Sequence, residues 1–425
     1  MKPPSAHRAT TAQIQALYPF VAEAGLGGRG VYIGRDLFGG SFCYDPWELY
    51  RRGVLTSPNI VVLGQIGRGK STFVKTFLRR EQVFGRQAWV VDPKGEYGAL
   101  AEAFGSVPLR VAPGGSVRLN PLEVPGDDPR EAARRRSELL CSIVSASLGR
   151  SLSPAERTAT DLATRAITGE ATGRTQAGRR TGTSFQPTLP AVIAALLDPD
   201  PESAESVRTD QPGLAADGRM VALELRRLVE GDLAGMFDGP TTAGTDLNDP
   251  LVVLDLSELY ASPALGILMT CAMAWLQSAL GRHDGVKRLV VIDEAWAILH
   301  NLAIARWLQS GFKLSRALGV AYLAVIHRLS DLRAAGADGS QTQRLAEGLL
   351  SDSETRVIFG QPPSEVDGAI DLLGLSTTEA ELLPQLPRGV ALWKVGGGRS
   401  FLVEHALGTA EAAIVDTDAA MRESR

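Results

Sequence analysis

Cysteine is scarce in this 425-residue chain: Cys43, Cys141 and Cys271 each stand alone. No two share the close spacing of a zinc site, and three isolated thiols make no disulfide framework. A reducing compartment is therefore expected. No apolar core of the signal-peptide kind follows Met1. The longest apolar stretch, Leu265 to Leu280, is too short to span a bilayer. Ser262 as cap, Pro263 as first helical residue and Gly281 as stop read it as a buried helix. Lysine is rare too, with seven against 37 arginines in a basic total of 44. Genomic nucleotide bias explains that more simply than function does. A net charge of −4 gives no global sign of nucleic-acid binding. The guanine signature Asn-Lys-x-Asp is missing, which argues against a GTPase. The expectation is a cytoplasmic protein of two or three domains without its own membrane span. Any membrane association would be peripheral, at the inner face.

What is present is a phosphate-cradling loop. Gly64-Gln65-Ile66-Gly67-Arg68-Gly69-Lys70-Ser71-Thr72 fits G-x-x-x-x-G-K-[ST]. Asn59 to Leu63 before it reads as a buried strand. Lys70 to Arg80 after it reads as a helix with Phe73, Val74, Phe77 and Leu78 on one face. Glycines let backbone N–H groups point at phosphates, and the helix start adds a positive dipole end. Lys70 can reach the β- and γ-phosphates, and the Ser71 hydroxyl can bind Mg²⁺. ATP and Mg²⁺ are the expected ligands.

Strand-like and helical patterns alternate along most of the chain. Short β runs at Val31–Ile33 and Ser41–Tyr44 flank Gly39-Gly40 and predict a hairpin. Ala88 to Asp92 and Val107 to Val111 predict further strands. Helical periodicity then takes over from about Asp128 to Gly239. Glu131 to Leu148 is one helix. Ser153-Pro154-Ala155-Glu156 is a capping box that opens another, ending near Gly169. Pro187 to Leu197 and Met220 to Ala234 are further helices, and 169–186 reads as a mobile polar loop. Residues 130–180 hold ten arginines against five acids. That is either a face for a polyanion or partner, or a solvated helix surface. Strands return at Leu251 to Asp255, Leu289 to Ile292, Val320 to Ile326, Thr355 to Phe359, Val390 to Val395 and Phe401 to Glu404. This predicts an α/β fold with a mostly parallel sheet and an all-helical insertion. The expected division is 1–58 for a short N-terminal segment with the hairpin, 59–127 and 241–407 for the core, 128–240 for the insertion and 408–425 for a tail.

Arg288 to Ile292 is an apolar run ending in Asp293 and Glu294. Ligands of open α/β sheets bind at such strand tips. Asp293 would hold the Mg²⁺ shell, and Glu294 would orient and deprotonate the attacking water. Asp255 also ends an apolar strand, but no second acid follows it. Hydrolysis also needs a cation for the developing γ-phosphate charge, often supplied in trans. Arg316, near the end of a helix over 303–318, is the candidate, with Arg328 and Arg356 as alternatives. His327, just after a strand, could sense the γ-phosphate, or be an ordinary hydrogen-bonded loop histidine.

Several segments together resemble the conjugation or type IV secretion ATPase family, TraC-like, within the HerA–FtsK superfamily. They include Gly64–Thr72, Val90-Val91-Asp92-Pro93-Lys94-Gly95-Glu96-Tyr97, Leu119-Asn120-Pro121-Leu122, Met236-Phe237-Asp238-Gly239 and Asp293-Glu294-Ala295-Trp296. Arg316 before Gly319-Val320-Ala321, Leu329-Ser330-Asp331-Leu332 and the stretch Leu350 to Gln361 follow in the same order. The resemblance implies a RecA-like ATPase core, a homo-oligomer in a hexameric ring, and membrane-embedded transfer or secretion components as partners. It also implies that Arg316 acts across a subunit interface. In this superfamily glutamine is common at the position of His327, and serine or alanine at that of Arg68. The expected function is an ATP-hydrolysing motor of a conjugative or secretion system. The alternatives are a DNA-translocating pump of the HerA or FtsK kind, with DNA as partner, and a nucleotide-binding scaffold of little turnover.

Overall fold

The computed structural model describes residues 25–415 apart from 124–128, 169–186, 232, 243–248, 261, 263–264, 281–284, 296–308, 310, 314 and 328–340. The expected segment before residue 25, the polar loop 169–186, Trp296, Arg328, the stretch 329–332 and much of the helix 303–318 lie outside the described residues.

Eleven strands form one sheet. In chain order they are β1 (Val31–Asp36), β2 (Ser41–Tyr44), β3 (Ile60–Leu63), β4 (Gln87–Asp92), β5 (Leu109–Arg110), β6 (Leu251–Asp255), β7 (Arg288–Ile292), β8 (Val320–Ile326), β9 (Thr355–Phe359), β10 (Val390–Val395) and β11 (Arg399–His405). Their spatial order is β2-β1-β11-β10-β9-β3-β8-β7-β4-β6-β5. The seven strands from β9 to β5 run parallel. From β9 outward to β2 every pairing is antiparallel.

Central strands are apolar throughout because both faces are covered. In β3, Val61 and Leu63 face one core, while Ile60 and Val62 face the other. The same alternation runs through β7 and β8. One face packs on α2 (Lys70–Glu81), through Phe73, Val74, Phe77 and Leu78. The other packs on helices inserted between β5 and β6. These are α4 (Pro129–Leu148), α5 (Pro154–Thr168), α6 (Leu189–Leu197), α7 (Pro201–Ser206) and α8 (Gln211–Glu230), together with the later α9 (Leu265–Leu280). Two short helices, α1 (Pro46–Arg51) and α3 (Gly98–Ala103), complete the first half. The layers are helix, sheet, helix. The capping box at α5 is present: Glu156 N–H donates to Ser153 Oγ at 3.2 Å, and Ser153 N–H to Glu156 Oε2 at 2.7 Å.

Three expectations need correction. The strand over Val107 to Val111 shrinks to two residues, because Pro108 supplies no N–H to a ladder. The helix expected at Met220 begins at Gln211, where the Asp210 carboxylate accepts from Gly213 N–H. Pro212, Gly213 and Gly218 masked that start. At Gly218 a Cβ would lie 3.0 Å from Leu196, so the glycine allows close approach of α6. The hairpin β1–β2 is part of the central sheet, since β1 pairs with β11 near the other end of the chain.

Candidate nucleotide and catalytic site

The parallel block brings the sequence-predicted groups to one end of the sheet. Gly64 to Gly69 follow β3, His327 follows β8, Asp293 and Glu294 follow β7, and Asp92 ends β4. All four strands are parallel neighbours, so their C-terminal tips share a rim.

The phosphate loop bends at glycine. Gly64 has φ 155°, and a Cβ there would lie 2.5 Å from the Phe359 Cβ. Gly69 caps α2 with φ 109°. Lys70 is buried, and its ammonium donates to Gly64 O at 2.5 Å and Gln65 O at 3.2 Å. The lysine is thus folded onto the loop that would hold phosphate. Contacts that the sequence did not suggest fix the loop from outside. Gln65 N–H donates to Gly360 O, Gly389 N–H donates to Arg68 O, and the Arg68 guanidinium donates to Leu386 O at 3.3 Å.

Asp293 is buried, and Tyr97 O–H donates to its Oδ2 at 3.2 Å. Burial, and then the charges of Glu294, Asp92 and Glu96, push its carboxyl up to about 6. A buried acid among acids is a donor set that suits a cation. Ser71 opens α2 at the neighbouring loop, and among the described residues no group of three or more acids, histidines or cysteines is clustered as a ready-made metal site. Lys75 is buried on α2, with its ammonium 5.2 Å from the centre of the Tyr97 ring. Burial lowers its proton affinity, while the charges of Glu96, Asp92 and Asp293 raise it. Sequence reasoning assigned no role to Tyr97 or Lys75.

The raised Asp293 carboxyl has a consequence for stability. Such a group favours the folded state below its ordinary value of 3.8, and that contribution is lost as pH rises through about 6. Metal-free protein at pH 7.5 thus carries a penalty of about 3 kcal/mol from this group. Asp293→Asn is expected to raise the Tm of nucleotide- and metal-free protein at pH 7.5 by roughly 2–4 °C, with a smaller gain near pH 5. Scanning calorimetry at both pH values checks this, and a lower Tm at pH 7.5 contradicts it.

Glu294 is buried and has φ 54°, one of two non-glycine residues with positive φ among the described residues. For a glutamate this left-handed conformation costs about 1–2 kcal/mol. Strain of this kind clusters at functional sites. The turn is held by Glu294 N–H donating to Asp293 Oδ1 at 3.0 Å and Ala295 N–H donating to Val325 O at 3.1 Å. Glu294 Oε1 accepts from His327 Nε2 at 2.5 Å and forms an ion pair with Lys94. His327 Nδ1 is buried with no partner among the described residues. In the sequence Lys94 stands out only as part of the segment Val90 to Tyr97.

The remaining candidates lie elsewhere. Asp255 is half-buried, and its carboxylate accepts from Ser257 N–H, so it caps a turn beyond β4. Arg316 is exposed on a helical turn, residues 315–318, before β8. That is the opposite end of the sheet from the phosphate loop. Arg356 lies on β9, and its guanidinium donates to Leu373 O at 2.8 Å and Leu350 O at 3.2 Å. Both carbonyls end helices, α11 (Val366–Leu373) and α10 (Gln341–Ser351), so this arginine serves the fold. Within the basic run, Arg134 pairs with Glu138, Arg150 with Glu156 and Arg165 with Asp161. No described helix is long and apolar enough to cross a membrane.

Among solved structures, VirB4 of Thermoanaerobacter pseudethanolicus superposes with a TM-score of 0.73 at 23% identity, over 91% of this chain and 99% of that one. The fold is the one seen in VirB4. It is also shared with the bacterial conjugative coupling protein TrwBdeltaN70, at TM-score 0.58 and 14% identity over 90% of this chain and 91% of that one. The plasmid coupling protein TrwB in complex with ADP and Mg²⁺ matches at TM-score 0.54 and 16% identity, over 83% of this chain and 86% of that one. The mostly parallel α/β core expected from the sequence is thus present. No family model matches the chain, and no curated protein matches it.

Proposed function

We propose that this chain is an Mg²⁺-dependent ATPase that works as an oligomeric motor of a conjugative-transfer or type IV secretion system. The observation that carries the reading is the shared rim: a phosphate loop at the tip of β3 and a buried Asp293–Glu294 pair at the tip of β7, in one parallel block. The VirB4-like fold supports the choice of system, and the ADP and Mg²⁺ bound by TrwB support the choice of ligands. Residues 128–240 are taken as an insertion in a core formed by the flanking segments.

Each residue then has one task. Amides of 64–72 and the Lys70 ammonium bind the β- and γ-phosphates. Ser71 and Asp293 would hold Mg²⁺, which when bound neutralises developing negative charge. Tyr97 orients Asp293 through its hydroxyl. Glu294 takes the proton from the attacking water. His327, hydrogen-bonded to Glu294 through Nε2, would couple the presence of the γ-phosphate to the base. Arg316 of a neighbouring copy stabilises the charge on the transferring phosphoryl group. Partners are further copies in a hexameric ring and the membrane-embedded transfer or secretion complex. Association with the inner face of the membrane would then be peripheral, by a cytoplasmic protein.

The test is steady-state Mg²⁺-ATP hydrolysis at concentrations that permit assembly, with and without long single- and double-stranded DNA. Turnover independent of DNA is expected for a secretion motor, and a several-fold rise with DNA favours a translocase. Lys70→Ala is expected to weaken ATP binding by at least about tenfold, which corresponds to roughly 1.4 kcal/mol. Parental affinity in that variant, by fluorescent-analogue titration, would sink the phosphate-site assignment.

A further inference from the structure

Glu294 is approached from both strands that flank β7. His327 reaches it from β8 and Lys94 from the tip of β4, and both meet Oε1. Their nitrogens are 3.5 Å apart. The order β3-β8-β7-β4 places His327 on the same flank as the phosphate loop and Lys94 on the other. A phosphate arriving at Gly64–Thr72 therefore comes up on the side of His327, away from Lys94.

The loop that carries Lys94 is pinned. The Asp92 carboxylate accepts from the N–H groups of Lys94, Gly95 and Tyr97 at 2.9–3.1 Å. Gly95 has φ 71°, and a Cβ there would sit 3.1 Å from Ser257. Freedom is left to the Lys94 side chain, whose ammonium is part-exposed and lies 5.8 Å from the centre of the Tyr260 ring. A carboxylate oxygen that already accepts from an ammonium and an imidazole has few lone-pair directions left for water.

We infer that Lys94 is a positioning residue that restrains Glu294 in the resting protein, and that its withdrawal is a step separate from nucleotide binding. This rests on the role proposed for Glu294. Removing the ammonium takes away one partner of Oε1, opens that direction to water, and leaves the phosphate loop untouched. The restraint therefore acts on turnover and not on affinity.

The experiment uses the full chain with Lys94→Met, Lys94→Gln and Lys94→Arg. Turnover at saturating Mg²⁺-ATP is read beside the affinity for a fluorescent non-hydrolysable ATP analogue. Lys94→Met and Lys94→Gln are expected to turn over about five- to tenfold faster than the parent, with analogue affinity within about twofold. Lys94→Arg, which keeps the cation, should match the parent. Hydrogen exchange of residues 293–295 in the nucleotide-free protein should be faster in the Met and Gln variants. Unchanged or lower turnover in a variant that still binds the analogue overturns the inference, and so does unchanged exchange. Should Glu294→Gln hydrolyse ATP like the parent, the base assignment fails instead, and hydrogen exchange still decides the restraint.

Discussion

Glu294→Gln is expected to bind ATP as the parent does and to lose hydrolysis by about 10²–10⁴-fold, the usual contribution of a general base. The substitution keeps side-chain size and an oxygen that can accept from His327, so the tip of β7 should hold its shape. It removes the negative charge that pairs with Lys94 and the only feature of the group that can take a proton. Because phosphate binding depends on the β3 tip, analogue affinity should stay within about threefold. Single-turnover phosphate release checks the first half of this expectation, and analogue titration the second. Hydrolysis at the parental rate would show that another group activates water. Loss of both binding and hydrolysis would show that Glu294 acts through the fold of the site.

What could be read from the sequence was local and contiguous. Gly64 to Thr72 lies between an apolar run and an amphipathic helix, so loop, strand and helix identified one another within about twenty residues. Asp293 and Glu294 end a run that only a strand buried on both faces would need. The strands of the parallel block were legible for the same reason. Tyr97 and Asp293 stand 196 residues apart, and nothing in either segment names the other. The pairing of Lys94 with Glu294 depends on β4 and β7 being neighbours, which strand order decides and apolar patterning does not. Lys75 is buried on α2 beside the apolar positions Val74 and Phe77, and nothing local marks it as buried. The charges of Glu96, Asp92 and Asp293, which follow or end β4 and β7, offset part of the cost of its burial. The antiparallel pairing of β1 with β11 was not legible for a related reason, since it joins the two ends of the described chain.

The two views together separate the candidate arginines. Arg356 is held by its own chain, between the carbonyl ends of two helices, so its loss should destabilise the core before it alters any chemistry. Arg316 is exposed and makes no comparable bond in the described contacts. Its position is informative for the opposite reason, because it is too far away to serve its own site.

Arg316→Ala is expected to lower assembled-state turnover by about 10³-fold, the scale of an arginine finger, and activity should return on mixing with Lys70→Ala. Arg316 precedes β8, whereas the phosphate loop follows β3, and the two strands are parallel and adjacent. Seven residues of β8 span roughly 23 Å at about 3.3 Å per residue. No arginine side chain covers that distance, so any contact with a γ-phosphate must come from another copy. In a mixed assembly, an Arg316→Ala subunit supplies an intact phosphate loop and its Lys70→Ala neighbour supplies the arginine. Each such interface holds one complete site. Two preparations that are inactive alone should therefore regain a substantial fraction of parental turnover when co-assembled. An arginine acting within its own chain gives no recovery at any ratio, because neither subunit is then complete. If Arg316→Ala alone keeps parental turnover in the assembled state, the finger lies elsewhere. Arg328 would then be the next residue to substitute.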